Sequence, residues 1–476
     1  MSQPTIPQDA GVLDDLRKLL LGQADAMKDA MSPPLRVNPR LDVDLHARRL
    51  ADEHSRPATL VKLFQLGESV AAGDAASALE PVETDALVEM GLAEADEKVV
   101  RPLARVSSYE GLLVASDVMT RPDPPDFVTG PSPSAQRVER LTIRKPVRTA
   151  LDLGTGSGVQ ALMAARHSEW VVAVDVNERG LAFARFNAAL NRVTKVDLRE
   201  GSWFEPVADE RFDLIVANPP YVVSPDNKFL YRDGDLAADA VTQQLLREVP
   251  AHLEEGGFAH VMGNWAHRRD EDWRAPVEAW LAGSGCDALL LKYVTIDPVA
   301  YAAQWNRMLL AQGREPFLSA VDRWLDYYRR EGIGVITEGM VVLRRRSGGS
   351  NWVRAIEVPG EPAGRAGDHV VRLFEARDRR DELAADGALL AARLDLVPGL
   401  QASWRAGGPG LGEKQAKIHL ENGVGFAAPV PAALAERLAS LDGSRPLGEL
   451  VGEDQESVAA MRRLFALGLV SAGKAP

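Results

Sequence analysis

A glycine-rich turn set between two apolar runs constrains this chain more than any other feature of it. Thr149-Ala150-Leu151-Asp152-Leu153 leads into Gly154, Gly156 and Gly158, and Val159 to Arg166 follows with helical composition. A short apolar run that stops at glycines reads as a buried parallel strand. The glycines therefore occupy a strand-to-helix turn, where missing side chains permit unusual backbone angles and close approach of a ligand. A second run, Trp170-Val171-Val172-Ala173-Val174, ends at Asp175. An acid closing that strand can accept both hydroxyls of a ribose, by the logic of dinucleotide folds. The third glycine comes two residues after the second rather than three, so no pyrophosphate cradle is required. Glycines that serve only the packing of a tight β–α turn would leave the same local pattern.

A third strand, Lys195 to Leu198, leads to Glu200-Gly201-Ser202-Trp203-Phe204. Phe212 to Ala217 reads as a fourth, with Asn218 at its carboxyl end, where open α/β sheets bind ligands. Pro219 and Pro220 fix the backbone beyond the strand and remove two donors. The carbonyls of Asn218 and Pro219 are then free as acceptors. A planar NH2 group offers two donors in one plane. The Asn218 side-chain oxygen and the Pro219 carbonyl can take one each, while Tyr221 stacks on the planar group. An isolated Asn-Pro-Pro turn, by contrast, is a common structural device.

In this order and spacing, Leu151 to Gly158, Asp175 and Asn218-Pro219-Pro220-Tyr221 resemble the class I S-adenosyl-L-methionine (SAM) methyltransferases. Within these they are similar to the glutamine N5-methyltransferase (release-factor methylating, HemK-like) and "methyltransferase small domain" group. The resemblance covers roughly residues 125–347. It implies an α/β fold, a Rossmann-like seven-stranded domain with Phe258 to Met262, Asp287 to Ile296 and Val335 to Arg345 as strands five to seven. It implies SAM as cofactor and S-adenosyl-L-homocysteine as product. Around the cofactor it sets Asp152, Gly154, Thr155, Gly156, Gly158, Asp175, Val176, Ser202, Trp203 and Asn218. Asn218, Pro219 and Tyr221 become the catalytic residues. Many relatives carry an acid where this chain has Ser202, whose hydroxyl accepts from an adenine amine without charge assistance. The helix-rich insertion 298–331, with Tyr301, Trp305, Trp324, Tyr327 and Tyr328, either caps the substrate end or packs as a helical core.

At 476 residues the chain suggests three domains. Residues 1–120 read as helical and winged-helix-like, with amphipathic stretches near 11–21, 45–54, 58–66 and 83–91 and a strand pair at 99–103 and 112–115. Pro122, Pro124, Pro125, Pro131 and Pro133 mark a linker into the methyltransferase-like domain, 121–347, and Phe127 to Ser132 either lines the cofactor entrance or is plain linker. Residues 348–476 read as a smaller α+β region, with strands near Trp352 to Ile356 and Val370 to Phe374 and a helical tail. Its ending, Arg463 to Val470, echoes Ala86 to Ala93 as a helix closing at glycine before a strand.

No apolar run approaches the ~20 residues needed to cross a bilayer, and the first residues lack signal-peptide character. One cysteine, Cys286, excludes an internal disulfide framework and any multi-cysteine zinc site; no metal is called for, and the cytoplasm is the expected compartment. A net charge of −13 leans away from naked duplex DNA. His267-Arg268-Arg269 and Arg344-Arg345-Arg346 are the two basic clusters, read as solvated strand ends. The leading expectation is therefore an N-methyltransferase acting on a glutamine side chain of a protein. An rRNA or tRNA base methyltransferase (adenine N6 or guanine N2), a natural-product N-methyltransferase and a non-catalytic SAM-binding module stay open. The sequence leaves the oligomeric state undetermined.

Overall fold

The computed structural model describes residues 3–35, 39–119, 124–226, 230, 232, 239–405, 415–452 and 454–472. Pro122 of the linker lies outside them. At the centre is one sheet of β1 (Val147–Leu153), β2 (Ser168–Asp175), β3 (Val196–Glu200), β4 (Phe212–Ala217), β5 (Leu253–His267), β6 (Cys286–Ile296), β7 (Val335–Arg345) and β8 (Val353–Glu357). Its order is β3-β2-β1-β4-β5-β7-β6-β8. β7 runs antiparallel to β5 and β6, and the other pairings are parallel. Side chains alternate between two cores. Ala150, Val171, Ala173, Leu214 and Val216 enter one, and Leu151, Leu153, Val172, Val174 and Ile215 the other. Burial on both faces is what makes these strands continuous apolar runs.

Among the described residues the sheet has eight strands, one more than expected. Ala288 to Leu291 of β6 are completely buried and would otherwise form an open edge. Val353 to Ile356 pair with them residue for residue, so the boundary expected at 347/348 cuts through the sheet. Val370 to Phe374, expected as a strand, is helical. The helices of this region are α1 (Pro133–Leu141), α2 (Val159–Ala164), α3 (Glu178–Leu190), α4 (Ala240–Glu248), α5 (Ala275–Leu281), α6 (Pro298–Asn306), α7 (Arg314–Glu331) and α8 (Gly367–Asp378). From its N-cap Ala366, α8 places the buried Val370, Leu373 and Phe374 at three- and four-residue intervals, one stripe against the sheet. Phe374 meets Phe258 edge-on at 5.3 Å and Trp352 at 5.0 Å.

In the N-terminal region, helices Ala10–Gly22, Pro39–Arg49, Arg56–Val61 and Thr84–Glu89 overlap the four amphipathic stretches, while helices Ala24–Ala30 and Ala72–Leu79 lie outside them. The expected strand pair does not form. Val99–Pro102 lies between Val70–Ala71 and Ala93–Ala95, while Leu112–Asp117 pairs with Ala104–Tyr109 across a tight turn at Glu110 and Gly111. Leu112–Asp117 is joined to α3 by two asparagines one helical turn apart, each imitating a neighbouring strand. Asn187 accepts from the Ala115 N–H at 2.7 Å and donates to the Ala115 carbonyl at 2.9 Å. Asn191 does the same with Leu113, at 3.0 and 2.7 Å. Phe183, Phe186 and Leu190 complete the N-terminal core from below.

Beyond β8 and α8, two three-stranded sheets and the helices Ala432–Leu438, Leu447–Val451 and Gln455–Ala466 enclose a separate core. The sequence echo is structural: Gly91 and Gly468, at φ of 65° and 63°, end their helices before the strands Ala93–Ala95 and Val470–Ala472. Among the described residues no helix is long and apolar enough to cross a membrane.

Candidate active site

The carboxyl ends of β1, β2 and β4 meet at a cavity of about 500 Å³, within the usual range for small-molecule sites. Gly154, Gly156 and Gly158 turn the chain from β1 into α2 at φ of 71°, 52° and 84°, the left-handed region that glycine enters freely. A methyl group added at Gly154 or Gly156 would meet nothing within 4 Å, so both bare their backbone to open space beside the cavity. At Gly158 the same methyl would lie 3.1 Å from Ala184 of α3. That glycine lies outside the cavity wall and lets turn and helix pack closely. Asp152 also stands behind the turn, 2% exposed. Its Oδ2 accepts from the Thr155 hydroxyl at 2.7 Å and the Ala161 N–H at 2.8 Å. Burial pushes its carboxyl up to about 7. Thr155 itself is in the wall.

Asp175, closing β2, accepts from the Gly156 N–H at 2.7 Å through Oδ2 and from the Asn177 N–H at 2.8 Å through Oδ1. Each oxygen keeps further lone-pair capacity on the cavity side. Burial raises its pKa against the lowering effect of those bonds. Val176, Ser202 and Trp203 share this wall, whereas Phe204 turns inward and stacks on His252 at 4.2 Å. Phe127, Val128, Thr129, Gly130 and Ser132 are also part of the cavity wall. This segment is firmly tied down. The Ser157 hydroxyl donates to the Thr129 carbonyl at 2.7 Å, and the Val128 N–H donates to Asp117 at 2.8 Å. Asp117 in turn forms a buried pair with Arg179 at 2.6 Å.

Asn218, Pro219, Pro220 and Tyr221 form the opposite wall. The Asn218 Nδ2 donates to the Ser134 hydroxyl at 3.3 Å, while its buried Oδ1 has no partner among the described residues. A buried carbonyl oxygen left unpaired is costly in a folded protein, so this acceptor suits an N–H from outside the chain. Tyr221, hydrogen-bonded to Ser134, is pushed up to about 12 chiefly by burial. Its hydroxyl stays protonated at any working pH.

Several wall residues carried no signal that the sequence reading used, among them Ser134, Arg137, Gln304 and Glu338. Arg137 pairs with Glu338 at 2.5 Å, binds Glu361 through Nε at 2.9 Å and lies over the Tyr293 ring at 4.3 Å. A lone glutamate within the apolar run of β7 was the available clue. The insertion packs as a helical core and also lends two side chains to the cavity wall. Tyr301, Trp324 and Tyr328 build a buried cluster, and Gln304 and Trp305 reach the cavity. Two of its phenols also grip the main-chain N–H and C=O of Val223. The Val223 N–H donates to the Tyr301 hydroxyl at 3.1 Å, and the Tyr328 hydroxyl donates to the Val223 carbonyl at 2.8 Å.

The basic clusters are engaged in ion pairs. Arg344 and Arg346 converge on the buried Asp287 at 2.6 and 2.8 Å, and Arg269 meets Asp297 at 2.9 Å. An open glycine backbone, a carboxylate placed to receive hydroxyls and a cavity of this size fit a nucleoside-bearing ligand such as SAM.

Residues 137–270 match the family described as "Methyltransferase small domain". Residues 43–103 match a domain of unknown function, DUF7059. A release factor glutamine methyltransferase of Aliivibrio fischeri is 31% identical over 146 residues, 29% of this chain and 48% of that protein. One from Xylella fastidiosa (strain Temecula1) is 37% identical over 143 residues, covering 27% and 51%. A ribosomal protein uL3 glutamine methyltransferase of Bradyrhizobium diazoefficiens is 34% identical over 149 residues, covering 28% and 47%. The chain spans about half the length of these curated relatives. The segment similar to the methyltransferase small domain is thus the one that carries the glycine turn, Asp175 and the Asn218–Tyr221 wall.

Proposed function

We propose that this chain is a SAM-dependent N-methyltransferase whose acceptor is the side-chain amide of a glutamine in a protein. The single observation that carries the reading is the unpartnered Oδ1 of Asn218 in the cavity wall, across from the open glycine turn and Asp175. SAM, when bound, supplies an electrophilic methyl on a sulfonium. Asp175 receives ribose hydroxyls, and the bare backbone of Gly154 and Gly156 lets the ligand approach. Asn218 Oδ1 and the Pro219 carbonyl each accept one N–H of the acceptor amide, and Tyr221 covers its plane. The nitrogen lone pair then points out of that plane. An amide nitrogen is a poor nucleophile, so alignment does most of the work, worth roughly 7–11 kcal/mol in favourable cases. Transfer of the SAM methyl would release S-adenosyl-L-homocysteine; the positive charge developing on nitrogen would acidify its proton, which can pass to water without a strong base.

Curated relatives named for methylating glutamine of release factors or of ribosomal protein uL3 support a protein acceptor. Arg344 and Arg346 are drawn onto the buried Asp287, which weighs against that cluster serving as a phosphate-binding patch. The test is transfer of radiolabelled methyl from SAM into a lysate lacking this activity, with protein and RNA counted separately. Label in a discrete protein band, lost about 10²–10³-fold in Asn218→Ala, is the expected result, by analogy with removing one key polar group elsewhere. Label in RNA would replace the acceptor assignment, and full activity in Asn218→Ala would overturn the role of the turn. Asp175→Ala should strongly weaken SAM binding in calorimetry.

A further inference from the structure

We infer that Ser134 is a positioning residue for methyl transfer, setting which end of the Asn218 carboxamide faces the acceptor. The inference rests on the proposed reaction and assigns a residue on a separate element, 84 positions from the asparagine it controls.

Ser134 stands in the first turn of α1, behind the Ser132 cap and Pro133. Its hydroxyl has three polar neighbours: the Asn218 Nδ2 at 3.3 Å, the Ser132 hydroxyl at 3.1 Å and the Tyr221 hydroxyl. It owns one hydrogen. When that hydrogen goes to Ser132 or Tyr221, the oxygen must accept from Asn218, and the carboxamide nitrogen turns toward α1. The carbonyl oxygen is thereby left as the unpartnered group in the wall. The flipped carboxamide would present an NH2 to the NH2 of the acceptor, donor against donor, with no attraction to hold the nitrogen in line. Ser134 also restrains the phenol that covers the acceptor plane, so one hydroxyl fixes two walls of the same subsite. The N-terminus of α1 is held rigidly for the task. The Ser132 hydroxyl accepts from the Ala135 N–H at 3.2 Å, and Gln136 donates to the Pro131 carbonyl at 2.9 Å.

The experiment compares wild type with Ser134→Ala, Ser134→Thr and Asn218→Ala. It measures the saturated rate and the apparent KM for SAM, using tritiated SAM and protein from a lysate lacking the activity. Calorimetric SAM affinity is measured in parallel. Ser134→Ala should lower the rate about tenfold, the scale of one or two net hydrogen bonds. KM and affinity for SAM should stay within twofold, and Ser134→Thr, which keeps the hydroxyl, should restore most of the rate. A wild-type rate in Ser134→Ala beside a slow Asn218→Ala overturns the inference and leaves the proposed function standing. Equal loss of rate and SAM affinity, or no recovery with threonine, overturns it too, because the serine would then act on the cofactor or the fold. If neither Ser134→Ala nor Asn218→Ala slows transfer, the proposed function itself fails.

Discussion

Asn187→Ala tests how the N-terminal region is joined to the cofactor turn. Asn187 is fully buried, and its Nδ2 also donates to the Ser157 carbonyl at 2.8 Å, inside the glycine turn. Alanine would strand the Ala115 N–H, the Ala115 carbonyl and the Ser157 carbonyl together. A buried polar group deprived of its partner costs about 1–3 kcal/mol. Three of them, partly relieved by water entering the vacated space, give about 3–5 kcal/mol. Urea unfolding followed by tryptophan fluorescence and circular dichroism should show the midpoint falling without a change in slope. SAM affinity should fall severalfold in calorimetry, because the Ser157 carbonyl loses its anchor where Gly156 and Gly158 flank it. Asn187→Asp should be no milder. It keeps the acceptor for Ala115 but turns an oxygen toward two carbonyls. A loss under about 1 kcal/mol with unchanged SAM affinity would refute the claim that this amide couples hairpin to turn.

The buried Asp152 predicts a pH effect. Its folded pKa of about 7 exceeds the unfolded value of about 3.9, so the folded chain binds the proton more tightly. That contribution to stability is complete below about pH 4 and is lost as pH rises to about 7, roughly 4 kcal/mol over the window. Asp152→Asn, permanently neutral, should flatten urea midpoints between those pH values; an unaltered profile would contradict the assignment. Gly158→Ala forces a side chain to φ of 84° against Ala184 and should cost about 2–3 kcal/mol in the same assay. The double variant Tyr301→Phe, Tyr328→Phe frees the main-chain N–H and C=O of Val223. It should slow methyl transfer severalfold at unchanged SAM affinity, and a wild-type rate would show that the insertion does not position the turn.

What could be read from the sequence was local. Glycine and proline mark Gly154–Gly158 and Pro219–Pro220 unmistakably, and buried parallel strands advertise themselves as apolar runs, so both halves of the cavity were visible. Asp152 and Gly158 belong to the same motif yet support the turn from behind, a division that spacing alone does not express. Ser134 gave no sign of its role, and Glu338 only that of a lone acid in an apolar run, because their roles come from chain segments far apart that meet only through the sheet order. Val370-Val371 misled because β-branched residues favour strands, while packing against Phe258 and Trp352 rewards the helical stripe. The strand at Val353–Glu357 was foreseen but given to the wrong domain, since nothing local records which edge a strand will join.

That misplaced strand bears on how such a chain can be divided. Because Val353–Ile356 covers the flank of Ala288–Leu291, the region after it is not a passenger that can be clipped off at a loop. A piece ending near Ser347 would expose a row of unpaired N–H and C=O groups on an apolar edge, a template for sticking to its own copies. A division that keeps the sheet whole must therefore fall after Glu357.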